Sequence, residues 1–248
     1  MTDAATKTRA VLLDIEGTVT PISFVHDVLF PFARTHVGSH LTQHSTRTEV
    51  QGDIAALLRE RSLDEERGEQ PSQIENGVWS IEAIVAYVNW LIERDRKSPA
   101  LKSLQGKIWE QGYRDGILKA PLFDDVVPNL RRLRKQRIGI AIFSSGSVLA
   151  QKLLFAHTET GDHTGLIDQH FDTSVGSKVS SASYREIAKR LELSPIEMIF
   201  VSDVTNELKA AMESEMGVLL CVRPGNRPQS ASEEFQAIRS FSEILPLV

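Results

Sequence analysis

Four short stretches of this 248-residue chain carry side chains whose types and spacing suit chemistry on a phosphorylated compound. Asp14-Ile15-Glu16-Gly17-Thr18 sets two carboxylates on the same side of an extended backbone, with a glycine that lets the chain turn directly afterwards. Such a pair supplies a nucleophile and a group that moves protons. Ser144-Ser145-Gly146-Ser147 offers hydroxyls and backbone N–H groups just ahead of a helical pattern, where the positive helix end favours a phosphate. Lys178, in the polar run Gly176-Ser177-Lys178-Val179-Ser180, is a cation able to neutralise a phosphate dianion, and Asp203, after Phe200-Val201-Ser202, adds a further carboxylate. Each stretch taken singly has a plainer reading: a turn with solvated acids, a capped loop, a solvated lysine, a helix-capping aspartate. Taken together they are the parts needed for phosphoryl transfer through an aspartyl-phosphate with Mg²⁺.

Rigid elements must bring these parts to one place, and the flanking sequence supplies them. Ala10-Val11-Leu12-Leu13 runs apolar into Asp14, Ile138-Gly139-Ile140-Ala141-Ile142-Phe143 into Ser144, and Met198-Ile199-Phe200-Val201 into Ser202-Asp203. Short unbroken apolar runs of this kind read as strands buried on both faces. Helical patterns follow the second and third, over Val148–Ala156 and Glu207–Met216, the latter with Leu208, Ala211, Met212 and Glu215 at helical spacing. A further strand is expected over Gly217–Val222. This alternation predicts an α/β fold, a doubly wound parallel sheet, whose ligands sit outside the carboxyl ends of the strands. All the candidate residues fall at such ends or in adjoining loops.

The stretch between the first and second strands far exceeds a normal crossover and reads as an inserted helical domain. Its clearest helix spans about Ser80 to Asp95, with Ile81, Ile84, Val85, Val88, Leu91 and Ile92 on one face and Ser80 as cap. Another starts at Ser98-Pro99 and turns Leu101, Leu104 and Ile108 inward. Asp64–Pro71, charged and broken by Gly68, reads as an exposed loop. His36, His40 and His44 recur four apart; without a Cys or acid at matching spacing they read as a solvated helix face rather than a metal site.

Composition excludes other classes. With 41% hydrophobic and 25% charged residues the chain buries a sizeable core and is not disordered. Lys plus Arg is 28 against 33 for Asp plus Glu, a formal charge of −5, so nucleic acid is not an expected partner. Cys221, the single cysteine, lies in an apolar run and reads as a buried hydrophobe in a reducing compartment. The polar start, and the interruption of Ile138–Ala156 by Ser144, Ser145, Gln151 and Lys152, give no expectation of a membrane segment. A soluble, cytoplasmic protein is expected.

The order Asp14, Ser144, Lys178, Asp203 resembles that of the haloacid dehalogenase superfamily, whose first strand bears Asp-x-Asp, whose second ends in Ser or Thr, and whose site is closed by a Lys and one or two acids. Glu16 stands where hydrolases of that superfamily usually carry Asp. Longer blocks sharpen the likeness: Asp14-Ile15-Glu16-Gly17-Thr18, Pro21-Ile22-Ser23-Phe24-Val25, Val28-Leu29-Phe30-Pro31, Leu104-Gln105-Gly106-Lys107-Ile108-Trp109-Glu110, Phe143-Ser144-Ser145-Gly146-Ser147 and Ser202-Asp203-Val204-Thr205. These are similar to the bifunctional enolase-phosphatases of the methionine salvage pathway, from Val11 to about Arg223-Pro224-Gly225.

That resemblance implies a Mg²⁺-dependent enzyme that enolises 2,3-diketo-5-methylthiopentyl-1-phosphate and then dephosphorylates it to the acireductone 1,2-dihydroxy-3-keto-5-methylthiopentene. It implies Asp14 as nucleophile and Glu16 as acid and base. Lys178 would offset phosphate charge, and Ser144 and Ser145 would hydrogen-bond the phosphate or a neighbouring carbonyl. Asp14, Asp203 and the Glu16 backbone carbonyl would hold the metal. The base for the carbon-bound proton stays open between Glu16, Lys178 and an acid of the insertion. The resemblance further implies a monomer with a catalytic core of residues 1–19 and 122–248 and a helical cap of residues 20–121 that closes over the strand ends. Phe24 and Trp79 either enclose the methylthio tail or serve as core packing. The nearest alternative is a plain phosphatase of the same superfamily. A carbon–halogen hydrolase would not need Asp203 for metal, and the intact set argues against a non-catalytic binding protein.

Overall fold

Ala10–Leu13 forms strand β1, buried along its whole length. The computed structural model of the protein describes residues 7–71, 80–230 and 232–248. Beside β1 lie β2 (Gly139–Phe143) and β4 (Met198–Ser202), and with β3 (Gln169–Phe171), β5 (Gly217–Cys221) and β6 (Ala237–Ile238) they make a six-stranded parallel sheet ordered β3-β2-β1-β4-β5-β6. Leu13 pairs with both Ile142 and Val201, so the chain leaves the three central strands at one level. The order reverses between β1 and β4, and at such a switch point the diverging connections leave a crevice at the carboxyl edge.

The helices are α1 (Phe30–His44), α2 (Thr48–Glu66), α3 (Ile81–Glu93), α4 (Pro99–Arg114), α5 (Val126–Lys135), α6 (Val148–Ala156), α7 (Ser181–Arg190) and α8 (Thr205–Met212). Alternate strand residues Leu12, Phe143, Phe171, Phe200 and Leu220 pack with Tyr184 and Ile187 of α7 and Leu208 and Ala211 of α8 in one apolar cluster. Tyr184 sits edge-on to Phe143, centroids 5.5 Å apart, and 5.0 Å from Phe200. Each such buried ring contributes about 1.5–3 kcal/mol, and the aromatic pairing about 0.5–1.5 kcal/mol more.

The helix expected over Glu207–Met216 starts two residues earlier and stops at Met212. Ser214 Oγ donates to Ala211 O at 2.6 Å and Glu215 takes a left-handed φ of 74°, which ends the helix ahead of β5. Ser80 caps α3 by accepting from Ala83 N at 3.2 Å, and Ser98 caps α4 by accepting from Leu101 N at 3.1 Å with Pro99 opening the helix.

The chain divides into two compact units, His26–Leu118 and the segments on either side of it. The division falls at Val25/His26 and Leu118/Lys119, so residues 20–25 and 119–121 sit with the sheet rather than with the insertion. The reason is local: Thr20 Oγ1 donates to Pro121 O at 2.5 Å and Phe123 N to Val19 O at 3.1 Å, which clasps the two ends of the inserted segment together inside the first unit. Phe24 belongs to that unit and is buried; Trp79 lies outside the described residues.

Within the second unit, α1 packs on α3 and α4, and α2 on α3 and α4. Asp64, expected in an exposed loop, instead lies in α2 and is fully buried. Tyr87 Oη donates to its Oδ2 at 2.8 Å and Arg96 Nη2 to its Oδ1 at 2.6 Å, and such pairing is what makes a buried carboxylate tolerable. His36, His40 and His44 lie on α1; burial first, then the His44 charge, pushes the His40 imidazole down to about 4, so it is neutral at pH 7.

A partly buried ion pair fastens the C-terminal segment to the loop ahead of α5. Arg223 Nη1 and Nη2 grip the two oxygens of Asp125 at 2.9 and 3.1 Å, Nη1 also donates to Arg239 O, and Nε donates to Thr18 O. Burial works against the Asp125 carboxylate, but Arg223 and the Phe241 N–H outweigh it and hold the group below its ordinary range. Arg223→Met is expected to strand that carboxylate and two carbonyls, costing about 2–4 kcal/mol, a melting-temperature drop of roughly 5–15 °C. Thermal denaturation checks it; an unchanged midpoint would show the pair to be dispensable.

Candidate active site

Asp14, the first residue past β1, is 5% exposed and its backbone N–H still donates to Val201 O of β4 at 3.0 Å, so strand pairing fixes where its side chain begins. Lys178, 6% exposed, reaches it from the loop ahead of α7: Nζ lies 2.6 Å from Asp14 Oδ1 and 2.6 Å from Glu207 Oε2. That loop is pinned by the core itself. Tyr184 Oη donates to Lys178 O at 2.6 Å, Ser183 Oγ donates to Ser177 O at 2.7 Å, and the ammonium stands 5.8 and 6.0 Å from the Phe143 and Phe200 ring centroids. The rings that stabilise the sheet are thus also the floor under the lysine.

Glu207, in the first turn of α8, was not among the residues singled out by the sequence. Ser202 Oγ donates to its Oε2 at 2.9 Å and lies 3.5 Å from Asp14 Oδ2, and Val204 N donates to Ser202 Oγ at 3.1 Å. Its signal was the four-residue spacing from Asp203, one helical turn past the end of β4, but a first-turn glutamate is common at any helix start.

Asp203 completes the cluster, 5% exposed. Burial first, then the Asp14 and Glu207 charges, pushes its carboxyl up to about 7 against the pull of Lys178. Glu207 is likewise pushed up to about 7 by burial and by Asp14. Lys178 is held above its ordinary value, because the two carboxylates outweigh the burial that opposes its charge. Carboxylates outnumber ammonium in this buried pocket, and a hard divalent cation would relieve the imbalance. The donors are all oxygens, which suits Mg²⁺ rather than zinc. Among the described residues no three His, Cys, Asp or Glu side chains converge as a closed cage, and Mg²⁺ ordinarily keeps several waters rather than using one.

The turn after Asp14 folds tightly: Ile15 O accepts from the N–H groups of Thr18, Val19 and Thr20, and Gly17 N donates to Thr20 O at 2.8 Å. Glu16 is half-buried on this turn. Gly17 has φ +71°, and a Cβ there would collide with Asp203 Oδ2. Gly17→Ala is expected to combine backbone strain of about 1 kcal/mol with displacement of Asp203. The expected result is a phosphatase kcat lower by about 10²-fold with a nearly unchanged circular dichroism spectrum; full activity would show that Asp203 need not stay where it is.

Ser144 ends the neighbouring strand β2; it is buried, with its Oγ accepting from Gly146 N at 3.2 Å, while Ser145 is half-buried. Ser147 caps α6 by accepting from Ala150 N at 3.3 Å, so the loop feeds directly into a helix N-terminus. The structure joins Asp14 to Lys178 directly, adds Asp203 through its charge, and places Glu16, Ser144 and Ser145 on the adjoining loops. Cys221 is 1% exposed, its thiol pushed up to about 12 by burial.

A parallel sheet with a carboxylate, a lysine and further acids at its switch point is the arrangement of the haloacid dehalogenase-like hydrolases; the profile of that family matches residues 8–214, and the chain belongs to it. The relatives narrow the class. An enolase-phosphatase E1 of Synechococcus elongatus is 46% identical over 237 residues, 94% of this chain and 96% of that one. A probable bifunctional methylthioribulose-1-phosphate dehydratase/enolase-phosphatase E1 of Arabidopsis thaliana is 43% identical over 95% of this chain and 48% of its own length. The crystal structure of the UTR4 protein of Saccharomyces cerevisiae superposes with a TM-score of 0.73 at 34% identity, covering 94% of this chain and 98% of that one. The protein is a phosphatase of the enolase-phosphatase family.

Proposed function

We propose that the protein enolises 2,3-diketo-5-methylthiopentyl-1-phosphate and then removes its phosphate, giving 1,2-dihydroxy-3-keto-5-methylthiopentene, through an aspartyl-phosphate on Asp14 and with Mg²⁺. The observation that carries this reading is the buried Asp14 carboxylate held on Lys178 Nζ at the sheet's switch point. The relatives' names support the pairing of activities, and in the Arabidopsis chain the name joins them to a methylthioribulose-1-phosphate dehydratase. Loss of water from the diol beside a ketose carbonyl gives a diketone with its phosphate retained, which is the substrate class proposed.

Asp14 attacks phosphorus in line, the bond from phosphorus to the substrate oxygen breaks, and Glu16 gives its proton to that leaving oxygen. Glu16, now a carboxylate, takes a proton from water, whose oxygen attacks the aspartyl-phosphate and frees Asp14 and inorganic phosphate. Lys178 fixes the rotation of the Asp14 carboxylate through Oδ1 and offsets charge on the phosphate oxygens. Ser144, Ser145 and the N-terminus of α6 donate to the same group. Asp14, Asp203 and the Glu16 backbone carbonyl would hold Mg²⁺, which when bound would supply positive charge near the phosphate and near a substrate carbonyl. Lys178, kept protonated by two carboxylates, is a poor base, which favours Glu16 over it for the carbon-bound proton. We assign substrate choice to the inserted unit, and place the protein in the cytoplasm as a monomer acting on a freely diffusing metabolite.

The test follows enediol absorbance and inorganic phosphate together with the diketone phosphate and Mg²⁺. Enediol followed by phosphate is the expected course. Hydrolysis of simple phosphate esters with this substrate untouched would leave the phosphatase and overturn the substrate.

A further inference from the structure

Asn226 lies in the turn after Arg223-Pro224-Gly225, beyond the carboxyl end of β5. Its Nδ2 donates to Gly17 O at 3.0 Å and to Cys221 O at 3.1 Å. Two carbonyl partners fix which end of the amide is nitrogen, so Oδ1 must face the other way. Oδ1 is buried, and among the described residues it has no hydrogen-bond partner. Where it faces is set by the Gly17 turn: a Cβ on Gly17 would stand 3.0 Å from Asn226 Oδ1 and collide with Asp203 Oδ2, so amide oxygen and carboxylate flank the same point.

A buried amide oxygen left unpaired is costly, and an ionised Asp203, the form that would hold a cation, cannot help it, because both are then acceptors. The amide oxygen needs a donor beside that carboxylate. Water is the molecule that donates twice, and beside carboxylates that gather a divalent cation the water held most firmly is in that cation's shell. We infer that Asn226 is a positioning residue for the cation: clamped to the Gly17 turn by Nδ2, it presents Oδ1 to a water of the shell around the metal held by Asp14 and Asp203. This inference rests on the Mg²⁺ reading above. It gives the amide two separable tasks, a structural one on nitrogen and a metal-directed one on oxygen.

The experiment is calorimetric titration of Mg²⁺ alone into substrate-free, EDTA-stripped wild type, Asn226→Ala and Asn226→Asp, with melting temperatures of the metal-free proteins alongside. Loss of a group that orients the metal's surroundings weakens affinity by 10–100-fold in comparable sites, so Asn226→Ala is expected to raise the Mg²⁺ Kd about tenfold. Asn226→Asp keeps an oxygen and loses both N–H donors; it is expected to melt lower yet bind Mg²⁺ at least as tightly as wild type. An Asn226→Ala Kd equal to wild type overturns the inference, as does equal weakening in both variants, which would trace the effect to the clamp. Wild type that takes up no Mg²⁺ overturns the metal reading and this inference with it. Asn226→Ser, too short to reach the gap, replaces the alanine variant if that one does not fold.

Discussion

Asp14→Asn is expected to lower phosphate release by about 10⁴-fold or more while leaving the melting temperature close to wild type. The activity loss is large because an amide cannot form the acyl phosphate through which phosphate release is proposed to pass. The near-neutral stability follows from opposing effects. Lys178 loses one charged partner but keeps Glu207 at 2.6 Å. Asp203 and Glu207 lose the neighbour whose charge helps raise them both. The net change is expected within about 1 kcal/mol, measured by denaturation in EDTA. A variant that still turns over the diketone phosphate with wild-type phosphate release would remove Asp14 from the chemistry.

Lys178→Met is expected to be equally inactive and, unlike Asp14→Asn, strongly destabilised. Methionine approximates the stem but leaves three buried acids without their cation, and breaking such a pair costs about 3–5 kcal/mol, or roughly 6–20 °C here. The pH dependence has a definite sign. Carboxyls whose folded pKa is raised bind more protons folded than unfolded, so their penalty is absent at pH 4, grows as pH rises, and is complete above about 7. The gap between Lys178→Met and wild type in EDTA should therefore be small near pH 5 and widest near pH 8. A constant gap across that range would mean the lysine contributes packing rather than charge.

Much of this arrangement is legible in the chain, and the illegible parts have physical causes. β1, β2 and β4 are buried on both faces, so they read as unbroken apolar runs ending at Asp14, Ser144 and Asp203. β3 and β6 are short strands at the two edges, and Gln169 and His170 give β3 no apolar run to notice. α2 escapes for another reason. Asp53, Arg61 and Asp64 occupy buried positions of α2, so its inward face does not look apolar until Lys107 and Arg96 arrive from elsewhere in the chain. Glu207 and Asn226 look like an ordinary first-turn acid and an ordinary turn residue; only the fold shows that one meets Lys178 and the other stands beside Asp203.

The clasp at Thr20–Pro121 and Val19–Phe123 carries a consequence for the history of such chains. Because the two ends of the inserted segment are already bonded to each other, the sheet experiences it as a loop closed at its base, and the entropy of closing that loop grows only slowly with what it contains. An exchange of genetic material at these two points would replace the insertion as a cassette. Asp14, Lys178, Asp203 and Glu207, all encoded outside the crossover points, would be inherited intact; on the proposal that the insertion governs substrate choice, preference would then diverge by recombination while the buried cluster stays fixed.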